Sequence, residues 1–341
     1  MNTPEIFKTI EFSVLDLATV REGKTITDTY TNSMQTAKHA ETLGFKRYWL
    51  AEHHNMESIA SAATSVLIGH IAGGTKSIRV GSGGIMLPNH SPLIIAEQFG
   101  TLDALYPGRI DLGLGRAPGT DQLTALALRR ERFAAMDFPD QVKELLRYFS
   151  VENKTSKVRA IPGEGANVPV WILGSSTDSA YLAASMGLPY AFASHFAPAY
   201  LMDALHIYKQ QFKPSVYLQQ PYCMAAINII AADTAEEANY AATSFLQLAT
   251  DFVRGTPKPL PLPVNSMDDL WTPAEEAAVK QMRYYSFTGD KENVKQQLLA
   301  FLNATGVDEL MIVTNVYNQD VKQRSFEIVA EIKEEINAMK V

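Results

Sequence analysis

The sequence predicts a single (β/α)₈ barrel, built from eight units that each contain one strand and one helix. Short apolar, β-rich runs alternate with longer amphipathic patterns along nearly all 341 residues. This alternation is typical of βα units around a parallel sheet, and an open doubly wound sheet would also fit it. The short, evenly spaced strands favour the barrel, as does the lack of a dinucleotide-binding fingerprint after the first strand. We therefore treat residues 1–341 as one domain that carries an insertion.

The first four units are bounded by residues that commonly start or stop a helix. The first amphipathic pattern stops at Gly44, and Ser91–Pro92 precedes the third. We expect strands at Thr9–Leu15, Arg47–Ala51, within Ser77–Leu87 and at Arg109–Leu114, and helices at Thr27–Leu43, Ala60–Ala72, Pro92–Leu105 and Asp140–Phe149.

The second four units repeat this rhythm, and Gly187 stops the helix of the fifth unit. We expect strands at Pro169–Leu173, Tyr190–Ser194, Met224–Ala231 and Glu309–Val313, and helices at Thr177–Met186, Pro198–Gln211, Thr234–Ala249 and Val321–Ala338.

A proline-rich insertion precedes the eighth strand, and we place it at residues 251–286. Its segment Thr256–Val264 has a proline at every second position, which excludes a regular helix or a central strand. Short helices are expected at Pro273–Gln281 and, after Gly289–Asp290, at Lys291–Asn303. Long irregular segments in compact domains often act as lids, and a surface insertion without function is the alternative.

Composition and charge disfavour several classes of protein. A hydrophobic fraction of 46% supports a large core, and a net charge of −7 without basic clusters gives no footprint for nucleic acid. We expect no membrane span, and Met1–Lys8 lacks the apolar stretch of a signal peptide. The single cysteine, Cys223, lies in an apolar run, so we expect a buried thiol and a cytoplasmic location.

Polar side chains come directly after the second strand, as Glu52, His53 and His54. Catalytic groups of a (β/α)₈ barrel lie at the carboxyl ends of its strands. Neighbouring residues of an extended chain point to opposite faces, so only one of the two histidines can face the barrel mouth. Two loop histidines with Glu52 as their hydrogen-bond partner are the alternative.

Glycines mark the end of the third strand, at Gly81, Gly83 and Gly84. Glycine inside a strand often marks the close approach of a ligand to the backbone, and three in four residues indicate a flat ring. A simple bend of the barrel is the alternative. After the fourth strand, Arg116 is placed to clamp an anion.

The fifth strand runs through Gly174 into Ser175 and Ser176, just before a predicted helix. The amides and the dipole at a helix N-terminus favour phosphate binding. Ordinary capping by Ser176 or Thr177 is the alternative, and Asp178 would repel an anion. This segment alone therefore does not decide between the two.

Taken together, four ordered segments resemble the bacterial luciferase family of flavin-dependent monooxygenases. They are Gly44–His54, Val80–Pro92, Leu105–Arg116 and Ile172–Ser176, the last of which precedes Gly187–Pro189. The resemblance covers residues 10–194 and implies a (β/α)₈ barrel that binds FMN at its mouth. It also implies a homodimer, and we expect the second helix to help form it because many of its residues are small. These small residues are Ala60, Ala63, Thr64, Ser65, Gly69 and Ala72.

The resemblance also assigns roles to single residues. His53 matches an active-site histidine that serves in acid–base chemistry, and Gly83–Gly84 matches a non-prolyl cis peptide that lies against the flavin ring. Arg116 and Ser175 match phosphate-contacting positions. We place further cofactor contacts at Glu52, Gly174 and Ser176.

The chain departs from the family pattern at two positions. Gly115 stands where luciferase has a reactive cysteine, and Gly174 replaces an acidic residue. The resemblance therefore implies neither light emission nor an aldehyde substrate. We expect reduced FMN from a separate, transiently bound reductase, because the chain has no second nucleotide fingerprint, with O₂ and an apolar organic molecule as substrates. A histidine can supply the proton relay that such a site needs.

Three other functions are alternatives to this interpretation. A deazaflavin- or flavin-dependent dehydrogenase of the same superfamily stays open, as does a flavin-binding protein without catalysis. A metal-dependent barrel hydrolase is disfavoured, because Phe12–Leu17 lacks the His-x-His pair that such enzymes carry on the first strand.

Overall fold

A closed parallel barrel forms the centre of the computed structural model, which describes residues 9–128 and 136–339. The strands are β1 (Glu11–Asp16), β2 (Arg47–Leu50), β3 (Arg79–Met86), β4 (Ile110–Gly115), β5 (Val170–Gly174), β6 (Tyr190–Phe192), β7 (Cys223–Ala231), β8 (Ser286–Gly289) and β9 (Glu309–Val313). Strands β1 to β7 pair in sequence order, and β9 closes the ring between β7 and β1. The predicted (β/α)₈ barrel is confirmed. Residues 1–8, for which we expected no signal peptide, lie outside the described ranges.

Helices surround the barrel in the predicted alternation with its strands. They are α1 (Ile26–Thr42), α2 (Thr64–Gly74), α3 (Pro92–Leu105), α4 (Gln122–Ala127), α5 (Phe138–Phe149), α6 (Thr177–Met186), α7 (Leu201–Gln211), α8 (Ala235–Val253), α9 (Pro273–Met282), α10 (Lys291–Thr305) and α11 (Gln319–Ala338). Capping boxes begin α1 and α8, and α6 stops at Gly187, whose φ is 60°. Within residues 9–128 and 136–339, no helix has the length and apolarity needed to cross a membrane.

Strand β8 is an addition to the eight predicted strands. It pairs in parallel with residues 228–231 of β7, beyond the point where β6 pairs with residues 223–225. Ser286, the last residue of the predicted insertion, is the first residue of this strand, whereas the helix predicted after Gly289–Asp290 begins at Lys291 as expected. Four residues are too few for an alternating pattern to reveal a strand.

The proline-rich insertion is tied to the body of the barrel. Helix α8 continues to Val253, so the irregular segment begins later than predicted. Leu260 is buried, and its backbone hydrogen-bonds to Val20 and Glu22 in the loop after β1. Thr243 of α8 holds Val264 through hydrogen bonds of 2.8 and 3.1 Å. The segment therefore joins the loop after β1 to helix α8.

The barrel interior is polar at the amino ends of the strands and apolar at their carboxyl ends. Arg47 donates to Asp111 at 2.7 Å and to Glu309 at 2.9 Å, and both carboxylates are fully buried. Burial alone would raise the pKa of Asp111, but Arg47 and Arg79 hold it below its usual value. Above this network, Trp49 and Trp171 meet edge to face at 5.3 Å. The apolar half of the interior therefore lies toward the barrel mouth.

Candidate active site at the barrel mouth

A cavity opens at the carboxyl ends of the strands. Nine of its eleven lining residues have apolar or aromatic side chains; the other two are Gly83 and His195. Trp49 lies against the backbone at Gly83, Leu173 lies beside Gly84, and Met224 lines the wall formed by β7. Such a cavity suits a largely apolar ligand that makes a few defined polar contacts.

Glu52 joins the end of β2 to the segment that comes after β3. Its buried carboxylate accepts hydrogen bonds from His54 at 2.9 Å, His90 at 2.9 Å and the Met86 amide at 3.0 Å. Burial alone would raise the pKa of Glu52, but hydrogen bonds from His54 and His90 outweigh it and hold that pKa at about 2. The Glu52 carboxylate is therefore ionised, and hydrogen-bond donors of the protein already occupy its oxygen atoms. A direct contact of Glu52 with a cofactor stays a prediction.

The two adjacent histidines have different surroundings. His54 is bound to Glu52, whereas the Nδ1 atom of His53 is buried and has no hydrogen-bond partner. Burial lowers the pKa of His53 to about 4, although the charge of Glu52 opposes this shift. At neutral pH the His53 ring is therefore uncharged and able to exchange a proton with a ligand. A catalytic role of His53 stays a prediction. The ring of His54, by contrast, is already hydrogen-bonded to Glu52.

His195 is a further residue of this candidate site, and it was not predicted from the sequence. It lies just after β6, lines the cavity and has a buried Nδ1 atom without a partner. Burial lowers its pKa to about 3, and the neighbouring His53 adds to this shift. Asn228 fixes the segment by donating to the His195 carbonyl at 2.6 Å. The pattern that singled out His53, a titratable residue at the end of a strand, could also have identified His195.

The glycines of β3 are required by the barrel itself. The Gly83–Gly84 peptide is cis, as predicted. A Cβ atom at Gly83 would lie 2.8 Å from Leu15, and one at Gly84 would lie 2.7 Å from the Gly113 carbonyl oxygen. At Gly81 it would lie 2.6 Å from the Asp111 carbonyl oxygen. Packing between strands thus accounts for the glycines, so they are not independent evidence for a ligand ring.

Arg116 reaches from the end of β4 to the first turn of α6. Its Nη1 atom lies 3.2 Å from the carboxylate of Asp178 at the protein surface. Ser176 takes the N-cap position of α6 but makes no side-chain capping bond, so the capping alternative does not hold for it. Arg116 and the exposed Ser175 therefore lie at one corner, where an anion would compete with Asp178 for the guanidinium.

Gly174 contributes to this corner by lacking a side chain. A Cβ atom there would lie 1.8 Å from the Ser179 hydroxyl oxygen, so an acidic side chain would require Ser179 to move. Because β3, β4 and β5 are adjacent, the cavity wall at Gly83 and the Arg116 corner lie on neighbouring strands. Together they suit a ligand with a flat ring and an anionic end.

The chain is similar to known proteins over nearly its whole length. Residues 10–309 match the family described as luciferase-like monooxygenase. A luciferase-like monooxygenase of Escherichia coli (strain K12) is 51% identical, over 96% of this chain and 98% of that protein. An N-acetyl-S-alkylcysteine monooxygenase of Bacillus subtilis (strain 168) is 31% identical, over 94% of this chain and 98% of that protein.

Solved structures share the architecture. The apo form of MsnO8 superposes with a TM-score of 0.85 at 31% identity, covering 95% of this chain and 98% of that one. The oxygenating constituent of 3,6-diketocamphane monooxygenase from Pseudomonas putida, solved with FMN, gives a TM-score of 0.69 at 16% identity, covering 95% of this chain and 97% of that one. At that identity the likeness shows the fold alone.

Proposed function

This chain belongs to the luciferase-like monooxygenase family, and from that membership we propose that it oxygenates a small organic acceptor with reduced FMN. The observation that carries the proposal is the apolar cavity beside Gly83, with the buried, unpartnered Nδ1 atoms of His53 and His195. Buried polar atoms without partners are rare in folded proteins, and a ligand explains them well. The corner formed by Arg116 and Ser175, where an anion could bind, follows β4, the strand next to the one that carries Gly83.

The residues present fit FMN at both ends. The flavin ring would lie against Gly83–Gly84 between apolar side chains, with its polar edge toward the histidines. Arg116, Ser175 and Ser176 would hold the phosphate at the first turn of α6. Bound reduced FMN would supply the electrons that activate O₂. The 3,6-diketocamphane monooxygenase solved with FMN supports this choice of cofactor by fold.

The protein's own contribution is to exclude water and to move protons. The apolar lining around Trp49 and Met224 keeps water away from the ring. His53 carries no charge at neutral pH, so its Nδ1 atom can take a proton from the reacting groups and return it. Glu52 holds His54 and His90 in place and thereby positions the segment that carries His53.

We infer that the acceptor is small and mostly apolar, because most side chains that line the cavity are apolar. The relative that acts on N-acetyl-S-alkylcysteines makes a thioether the first class to test. The proline-rich insertion, anchored at Leu260 and Val264, would serve as a lid over this cavity. A cytoplasmic location is part of the same proposal.

The purified protein is expected to form product only when a separate flavin reductase supplies reduced FMN. The reason is that no second nucleotide fingerprint offers a place for NAD(P)H. Oxygen consumption and product should be measured with reductase, NADH, FMN and a panel of thioethers, against the same mixture without reductase. Rapid NAD(P)H oxidation without reductase would contradict the two-component scheme. Anaerobic oxidation of the substrate with oxidised FMN or deazaflavin as the electron acceptor, in the absence of reductase and NADH, would instead identify the dehydrogenase alternative.

We further propose a homodimer formed through α2 and α3. Large apolar side chains are exposed there, with Val66 68% and Leu105 63% exposed. Three of the small residues predicted to form this face do not do so, since Ala60 precedes α2, and Thr64 and Ala72 pack against the protein's own barrel.

Val66→Lys is expected to shift a dimer to monomer in sedimentation at micromolar concentration, because it places a charge in the apolar face. Val216→Lys is the matched control, since Val216 is 91% exposed but lies after α7, away from that face. A wild type that sediments as a stable monomer would end the dimer proposal.

A further inference from the structure

Arg283 is a partly buried cation without a counterion among the described residues. Its Nε atom is buried and unpartnered, and its guanidinium forms no salt bridge within the described residues. Its carbon Cζ lies 4.8 Å from the ring centre of Phe245. Burial lowers the pKa of Arg283 to about 10, so it is still charged at neutral pH.

Two other cations that are largely withdrawn from solvent have carboxylate partners. Arg47 pairs with Asp111 and Glu309, and Lys322 lies 3.7 Å from Asp16. Burying an unpaired charge costs free energy, which contact with an aromatic ring offsets only in part. A ligand that brings an anion would compensate the charge of Arg283.

Arg283 lies on the β7 and β9 side of the barrel. Its contact residue Phe245 packs against Ile230, near the carboxyl end of β7, and Val316, just after β9. Three residues beyond Arg283, the Ser286 hydroxyl accepts a hydrogen bond from Asn228 at 3.0 Å. Asn228 also binds the carbonyl of His195, which lines the cavity. By contrast, the Arg116 corner lies on the β4 and β5 side.

We propose that Arg283 binds an anionic oxygen group, a carboxylate or a phosphate, of a ligand held at the barrel mouth. The carboxylate of the acceptor is the favoured source, because the flavin phosphate fits the separate corner at Arg116. This assignment to the acceptor rests on the proposed function. Binding of an anion by Arg283 does not, and it can be measured without turnover.

The test compares charged and neutral members of two ligand pairs. Dissociation constants of flavin-free protein are measured for FMN against riboflavin, and for N-acetyl-S-benzylcysteine against its primary amide. Arg283→Met is expected to weaken the acid about 10- to 100-fold and to leave the amide nearly unchanged. Arg254→Met is the control, since Arg254 already pairs with Glu275 at 2.8 Å, and it should change neither.

Loss of FMN affinity without loss of riboflavin affinity in Arg283→Met would also support an anion site and would identify the phosphate as the source. Arg116→Ala is expected to give that second pattern. The proposal falls if Arg283→Met weakens both members of a pair equally, or if it weakens neither acid nor FMN.

A folding control keeps the result interpretable. The thermal midpoint of unliganded Arg283→Met should equal or exceed that of the wild type, because a partly buried, unpaired charge has been removed. Should this variant fail to fold, Arg283→Lys serves instead: it retains the charge, so it should keep the wild-type preference for the acid over the amide. Loss of that preference in folded Arg283→Gln, but not in Arg283→Lys, is then the expected result. Failure of the monooxygenase assay would leave these binding ratios unaffected.

Discussion

Replacing His53 with alanine is expected to slow product formation by about 10²- to 10⁴-fold, the usual contribution of an acid–base group. The Nδ1 atom of His53 is buried and unpartnered, and burial holds its pKa at about 4. FMN affinity should change little, because in the proposed binding mode the phosphate lies at Arg116. Single-turnover rates with reduced FMN, together with titration of oxidised FMN, measure the two effects separately.

The adjacent histidine provides the control. His54 is bound to Glu52, so His54→Ala should loosen the segment after β2 and reduce the rate less than His53→Ala does. A catalytic defect in His54→Ala with a normal His53→Ala would reverse the assignment. Titration of His53 should also leave the wild-type rate unchanged between pH 8 and pH 6. The uncharged form of His53 is lost only as the pH falls toward about 4.

Replacing Asp111 with alanine is expected to lower the free energy of unfolding by about 3–5 kcal/mol, as is usual when one member of a buried ion pair is removed. Asp111 accepts hydrogen bonds from Arg47 at 2.7 Å, Arg79 at 2.6 Å and the Trp49 indole at 3.2 Å. Its removal leaves Arg47 with Glu309 alone. Urea unfolding monitored by circular dichroism measures the loss.

A surface carboxylate provides the control for this effect. Asp140 pairs with Lys143 at 2.8 Å, but its side chain is 80% exposed, so Asp140→Ala should change stability little. The contribution of Asp111 also has a pH dependence. Because its folded pKa lies below the unfolded value, this contribution is complete above the unfolded pKa and is lost as the pH falls through the folded one. Equal effects of the two variants would contradict this role of the buried network.

The barrel could be predicted from the sequence because its strands are apolar runs separated by capped helices. Strand β8 could not, since its four residues are too few to establish an alternating pattern, and its pairing with β7 depends on a partner 58 positions away. The start of α2 was also misplaced. The small residues before Thr64 fit a helix in composition but lie in a loop.

The site was predictable only where a residue comes directly after its own strand. Because side chains alternate along an extended chain, we predicted that one of the two histidines after β2 would be structural. The hydrogen bond between His54 and Glu52 fits a structural role for His54. The sequence could not show that His90, 38 positions away, shares the same carboxylate. Nor could it show that Asp178, which we expected to repel an anion, pairs with Arg116.

The polar and apolar halves of the barrel interior also bear on how new specificities can evolve. Side chains that line the mouth, such as Leu173 and Met224, take no part in the charged network, so their substitution leaves its ion pairs in place. Trp49 is the exception, because its ring lines the cavity while its indole nitrogen donates to Asp111. A mutagenesis library directed at a new acceptor should therefore randomise the mouth and hold Trp49 fixed.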